Sequence, residues 1–131
     1  MYRAREKQMS IYDYLPPYHG ELCNANRWVR LAEAIDWDGF EKAYSELFAP
    51  SGKVALPARI ALGCRIIQLH YAASDREVVA LVQESPYLQY FLGFESFTDQ
   101  VPFSSRTVAR FRARIPDKAV RPAVRLLRSF H

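Results

Sequence analysis

The stretch between Leu56 and Gly93 limits what this chain can fold into more than any other. From Ala58 to Tyr71, Ile60, Cys64, Ile67 and Tyr71 fall on one helical face, while Leu62, Ile66 and Leu69 spread onto a second and leave a thin polar strip. A helix that is apolar most of the way round belongs at the centre of a domain, because nearly every face needs a packing partner. Ser74 followed by Glu77 reads as a capping box for the next helix. Each side chain there satisfies a backbone N–H that the helix leaves orphaned, so the turn after Tyr71 is tight. Pro86 suits the first position of a third, short helix, and Gly93 suits the left-handed residue just past its end.

Upstream, Asn26 is placed to cap a helix carrying Trp28, Leu31, Ala32 and Ile35 at i, i+3, i+4 and i+7. Asp36 is placed to cap the next, with Trp37, Phe40, Tyr44, Leu47 and Phe48 inside. The two form a helical hairpin with both tryptophans in the core. Pro50-Ser51-Gly52 ends the second helix. Ser51-Gly52-Lys53 fails as a phosphate loop, since it has no earlier glycine at the right spacing and Val54 follows the lysine. Residues 1–25 mix charges with Tyr2, Tyr12, Tyr14 and Tyr18 and show no period, as expected of an arm laid over the domain.

Tyr87, Tyr90, Phe91, Phe94 and Phe97 are either core aromatics or stacking platforms for unpaired bases. Glu84, Glu95 and Asp99 among them favour the core. A loop from Glu95 to Ser104 leads to a basic helix, Arg106 to Ile115, capped by Ser104 or Ser105. At about 100° per residue from Arg106, Arg110 falls near 40° and Arg114 near 80°, whereas Val108, Phe111 and Ile115 fall at about 140–200°. Arg112 projects elsewhere, near 240° by the same count. The arginine face has no acidic partner at i±4, so its charges repel one another until an anion arrives. A merely solvated helix face is the competing reading.

The runs LPARIALGCRII, SDREVV, ESPYLQYFLGF and RTVARFRARI, with NRWVRLAEAIDWDGFEKAYSELF upstream, occur in an order and spacing that resembles the N-terminal helical domain of bacterial insertion-sequence transposases of the DDE type. The likeness covers roughly residues 1–115 and fades after Pro116. It implies a module that contacts transposon-end DNA ahead of an RNase H-like catalytic domain whose acids hold divalent metal. This chain stops before that domain would begin. A truncated transposase is therefore expected, with no catalytic residue, metal site or cofactor of its own.

Charge points the same way. The 131 residues carry +4 overall, yet residues 1–102 hold 10 Lys and Arg against 13 Asp and Glu, and residues 103–131 hold 8 against 1. All the excess positive charge lies at the end of the chain, as expected of a surface held against a polyanion. No apolar run approaches the ~20 residues of a membrane span, and the N-terminus lacks the apolar core of a signal peptide. Cys23 and Cys64 lie far apart and suggest no disulfide framework, so a reducing bacterial cytoplasm at the nucleoid is the expected compartment. His19, His70 and His131 are scattered, and the His19 to Cys23 interval has no second ligand pair to complete a zinc site. Asp75 and Glu77 sit in the first turn of a helix, where negative charge suits the dipole without any catalytic role.

The expectation is an all-α bundle of about six helices around residues 58–71. Its parts are an arm at 1–25, the helical domain at 26–115 and a basic tail or linker start at 116–131, where Pro122 argues for a kink or two short turns. Double-stranded DNA at transposon ends is the expected partner, contacted by Arg106, Arg110 and Arg114, with Arg112 secondary. Residues 75–84, as the second member of a helix-turn-helix-like pair, are the rival DNA-facing helix, disfavoured by Asp75, Glu77 and Glu84 against Arg76 alone. The alternative function is an interaction module that pairs with itself or with a full-length transposase.

Overall fold

The computed structural model describes residues 22–47 and 57–130, with the side chains of 44–47 excepted. Expectations for Tyr44, Leu47, Phe48, the 1–25 arm's tyrosines, the Pro50 break and the lysine turn lie outside these residues. Among the described residues the fold is all-α, with seven helices and no strand. They are α1 (Arg27–Ala34), α2 (Trp37–Leu47), α3 (Ala58–Tyr71), α4 (Asp75–Glu84), α5 (Pro86–Phe91), α6 (Ser105–Arg114) and α7 (Asp117–Ser129).

Helix α3 is the axis of the bundle. Ten of its fourteen residues, Ala58 and Ile60 to Gln68, are buried, and α2, α4, α6 and α7 all pack against it. The other helices need only one apolar stripe each: α1 buries Trp28, Val29, Leu31 and Ala32, α4 Val78 and Val82, and α6 Val108 and Phe111. Tyr71, expected inside, is 39% exposed. Its hydroxyl instead accepts from Trp28 Nε1 at 3.3 Å, which gives the buried indole N–H a partner. Gly63 marks the tightest approach, where a Cβ would collide with Leu92 and press on Phe91 at 3.4 Å.

Short-range signals set the helix boundaries. Asn26 Oδ1 accepts from Trp28 N at 2.7 Å and Asp36 Oδ1 from Gly39 N at 3.2 Å. The box closes as expected: Ser74 Oγ accepts from Glu77 N at 3.1 Å and Glu77 Oε1 from Ser74 N at 2.7 Å. Ser104 caps α6. Helix α3 ends on Ala72 in the left-handed region (φ 53°), with Ala73 N donating to Gln68 O at 3.0 Å. Gly93 (φ 90°) does the same after α5, where the absence of a Cβ removes the strain.

Two buried polar side chains tie segments together. Gln89 donates through Nε2 to Val82 O (2.8 Å) and Thr98 O (2.7 Å), and its Oε1 accepts from Thr98 N (2.9 Å), so the loop before α6 is stitched to α4 and α5. Arg65, 3% exposed, donates from Nε to Ile115 O at 2.9 Å, from Nη1 to Gln68 Oε1 at 2.8 Å, and from Nη2 to Asp117.

The stretch after Pro116, which reads in sequence as a tail or linker start, forms α7. It is one helix through Pro122, not two short turns. Val120, Ala123, Val124 and Leu127 recur at i, i+3, i+4 and i+7 and are buried, and α7 packs on α3 and α1. Burial at about 1.5–3 kcal/mol per large side chain outweighs one proline at about 3 kcal/mol. Among the described residues no helix is long and apolar enough to cross a membrane.

Candidate nucleic-acid interface

Helix α6 turns Val108 and Phe111 into the core and leaves Arg106, Arg110, Arg112 and Arg114 exposed, as its period requires. The four do not share one environment. Arg112 grips Asp75 with both ends of its fork, Nε to Oδ1 at 3.0 Å and Nη2 to Oδ2 at 2.8 Å. Bidentate pairing of this kind fixes geometry as well as charge. Asp75 also accepts from Gln68 Nε2 at 2.8 Å. The Arg112 hydrogen bond, helped by Gln68 and opposed by partial desolvation, holds the Asp75 carboxyl below the usual carboxylate range, and the same bond pushes Arg112 up. Arg112 is thus engaged within the protein, which separates it from Arg106 and Arg110. Among the described residues those two have no hydrogen-bonding or ionic partner.

An open depression lies between the start of α4 and α6, lined by Ser74, Asp75, Arg76, Ser105, Arg106 and Ala109. Here the structure revises the electrostatic argument made from α4 alone. Asp75 is paired with Arg112, and Glu77 folds back onto the Ser74 N–H, so Arg76 and Arg106 are the unpaired charges at this edge. In the sequence Arg76 is outweighed by the acids around it. The pairing that changes its setting spans 37 positions.

Several other arginines are engaged within the protein. Arg59 donates to the carbonyls of Phe91 (2.8 Å) and Tyr90 (3.1 Å) and lies over Trp37. Arg30 covers Phe130, Arg27 reaches the Tyr71 hydroxyl at 3.4 Å, and Arg128 donates to His70 O at 3.2 Å. Among the described residues no group of three or more His, Cys, Asp or Glu is placed to hold a metal ion. Cys64 is fully buried, and its apolar surroundings push the thiol up, far from nucleophilic use. His70 is held below its ordinary value by burial and by Arg27 and Arg128.

These features define a small all-α module that leaves unpaired positive charge on a helix face. The class is that of a transposase-associated helical domain. Residues 11–114 match the family model described as Transposase domain (DUF772), and the chain belongs to that family. It is also 37% identical over 87 residues to the uncharacterized protein ORF8 in the nfe locus of Rhizobium meliloti, an alignment covering 66% of this chain and 42% of that relative. The chain therefore spans less than half the length of the relative it matches. No solved structure matches it.

Proposed function

We propose that this chain binds duplex DNA through α6 as the end-recognition module of a transposase, with Arg106, Arg110 and Arg114 on the phosphate backbone and Arg112 held aside by Asp75. The observation that supports this reading most is that Arg106 and Arg110 stand exposed and unpartnered on one helix face. Arg30, Arg59, Arg65, Arg112 and Arg128, by contrast, are each tied to a carbonyl, a carboxylate or a ring. Like charges one turn apart on a helix cost stability, and an anion removes that cost. The module acts on DNA by holding it. Metal-dependent strand transfer belongs to a partner polypeptide or to a further domain, and the setting is the bacterial cytoplasm.

The test is a titration of fluorescent transposon-end and scrambled duplexes at several salt concentrations. Each neutralised phosphate releases counterion, so log affinity falls with log salt by about 0.9 per contact, and replacing Arg106, Arg110 and Arg114 with Gln flattens the slope by about 2–3. A triple variant that keeps wild-type affinity and slope sinks the DNA reading. If that variant instead loses self-association or pairing with a longer transposase-family chain, the module is one for protein assembly.

A further inference from the structure

Helix α7 carries a second basic stripe that the DNA reading of α6 leaves unused. Lys118, Arg121 and Arg125 are exposed at i, i+3 and i+7, and among the described residues none of them has a hydrogen-bonding, ionic or ring partner. Arg128 continues the row but is spent on the His70 carbonyl. The helix's own acid, Asp117, sits one turn before Arg121 and would ordinarily answer it. Its carboxylate is taken by the buried Arg65 instead.

This arrangement lowers the stability of α7. Lys118 with Arg121 and Arg121 with Arg125 are like charges at i+3 and i+4, which destabilise a helix. Pro122 adds the loss of one backbone hydrogen bond. The helix persists because Val120, Ala123, Val124 and Leu127 are buried on the opposite side. The cations lie on the exposed side of the helix, away from that packing.

We infer that the Lys118, Arg121 and Arg125 face of α7 is a second phosphate-contacting surface and that bound DNA is held by α6 and α7 together. This rests on the proposed DNA reading and enlarges its site. Three features tie the two helices to each other. Both pack on α3, only Ile115 and Pro116 separate them, and one buried guanidinium, that of Arg65, holds Ile115 O at 2.9 Å and Asp117 on either side of that joint. The stripe runs about 10 Å, from 1.5 Å per residue. One strand of duplex DNA presents a phosphate per ~3.4 Å of axis, so about three lie along that length, as many as the cations.

The experiment uses the full chain and a labelled mixed-sequence duplex of about 30 base pairs, titrated from low to moderate salt where counterion release is measurable. Lys118→Gln, Arg121→Gln and Arg125→Gln together are expected to flatten the log affinity against log salt slope by about 2–3, as the α6 triple variant does. The six-residue variant should lose about 5. Lys in place of Arg121 and Arg125 should keep the slope, because charge and not fork geometry sets it. The three positions are exposed, so the urea midpoint is expected to stay or rise, which separates lost binding from lost folding. If the α6 variant flattens the slope and the α7 variant does not, the second surface is refuted while the DNA reading stands. If neither does, both fall. An α7 variant that keeps its DNA slope but no longer binds poly-glutamate assigns the stripe to an acidic protein partner and overturns the inference.

Discussion

Replacing Arg65 with Met tests how the basic helices are attached. The thioether chain fills similar space and adapts to irregular gaps, so the change removes the guanidinium without opening a large cavity. Three acceptors lose their donor: the Ile115 carbonyl, Gln68 Oε1 and Asp117. The first two face the interior, and a buried acceptor left unmade costs about 1–3 kcal/mol. The Asp117 side chain is 51% exposed, recovers water and adds little. Taking a charge out of the interior offsets part of the loss. The net expectation is a destabilisation of about 2–4 kcal/mol, a large share of a small domain's stability. Urea melts followed by tryptophan fluorescence suit the measurement, because Trp28 and Trp37 both pack on Phe91, at 4.9 and 5.5 Å between ring centroids. Asp117→Asn keeps an acceptor oxygen but leaves the buried Arg65 charge without its counter-ion, so it should cost more than an exposed pair would, about 1–3 kcal/mol. An Arg65→Met variant within about 0.5 kcal/mol of wild type would show that these hydrogen bonds are exchanged for water without loss, and the reasoning would be wrong.

Four further outcomes are expected. Ala72→Gly should stabilise the chain by up to about 1 kcal/mol, because Ala72 holds φ at 53°, where a Cβ is strained and glycine is not; an unchanged or lower urea midpoint would count against it. A thiol reagent should titrate Cys23 alone in the native protein and both cysteines after denaturation, since Cys23 is exposed and Cys64 fully buried. The depressed Asp75 carboxyl contributes stability that is fully present above its unfolded value and lost as pH falls through its lower folded value. The deficit of Asp75→Asn in urea midpoint should therefore be largest near neutrality and vanish in acid below the ordinary carboxylate range. The chain alone with Mg²⁺ or Mn²⁺ should neither nick nor join duplex DNA, as no group of acids among the described residues is arranged for metal; metal-dependent cleavage abolished by mutating one of its own acids would refute this.

What was legible in the sequence follows from range. The all-round apolarity of α3, the Ser74 and Glu77 box, the left-handed Gly93 and the Ser104 cap are decided within a few residues, and each is found where its neighbours place it. Helix α7 was obscured because Pro122 is a loud local signal, while Val120, Ala123, Val124 and Leu127 gain their weight only once α3 is there to cover them. The arginines of α6 look alike in sequence. Arg112 is set apart by Asp75, an acid on another helix that no spacing rule reaches. Arg65 was hidden in the polar strip of an apolar helix. An arginine on so apolar a helix was a signal in itself, since a buried guanidinium needs acceptors from elsewhere in the fold.

Gln89 has a consequence for where this protein tolerates change. Its amide pins the chain at Thr98, and the buried Phe103 pins it again just before α6. The passage from α5 to α6 is thereby divided into two short closures, and the second runs through the exposed Asp99 and Gln100, tied only by Gln83 Nε2 donating to Asp99 O at 3.3 Å and Gln100 N donating to Thr98 Oγ1 at 3.0 Å. Closure entropy grows only with the logarithm of length, so residues added there are inexpensive. They would also leave the start of α6 where Ser104 and Phe103 hold it. That tip is a natural insertion point for a fluorophore or an affinity tag beside the basic helix, and length variation among related proteins should collect there before anywhere between Gly93 and Thr98.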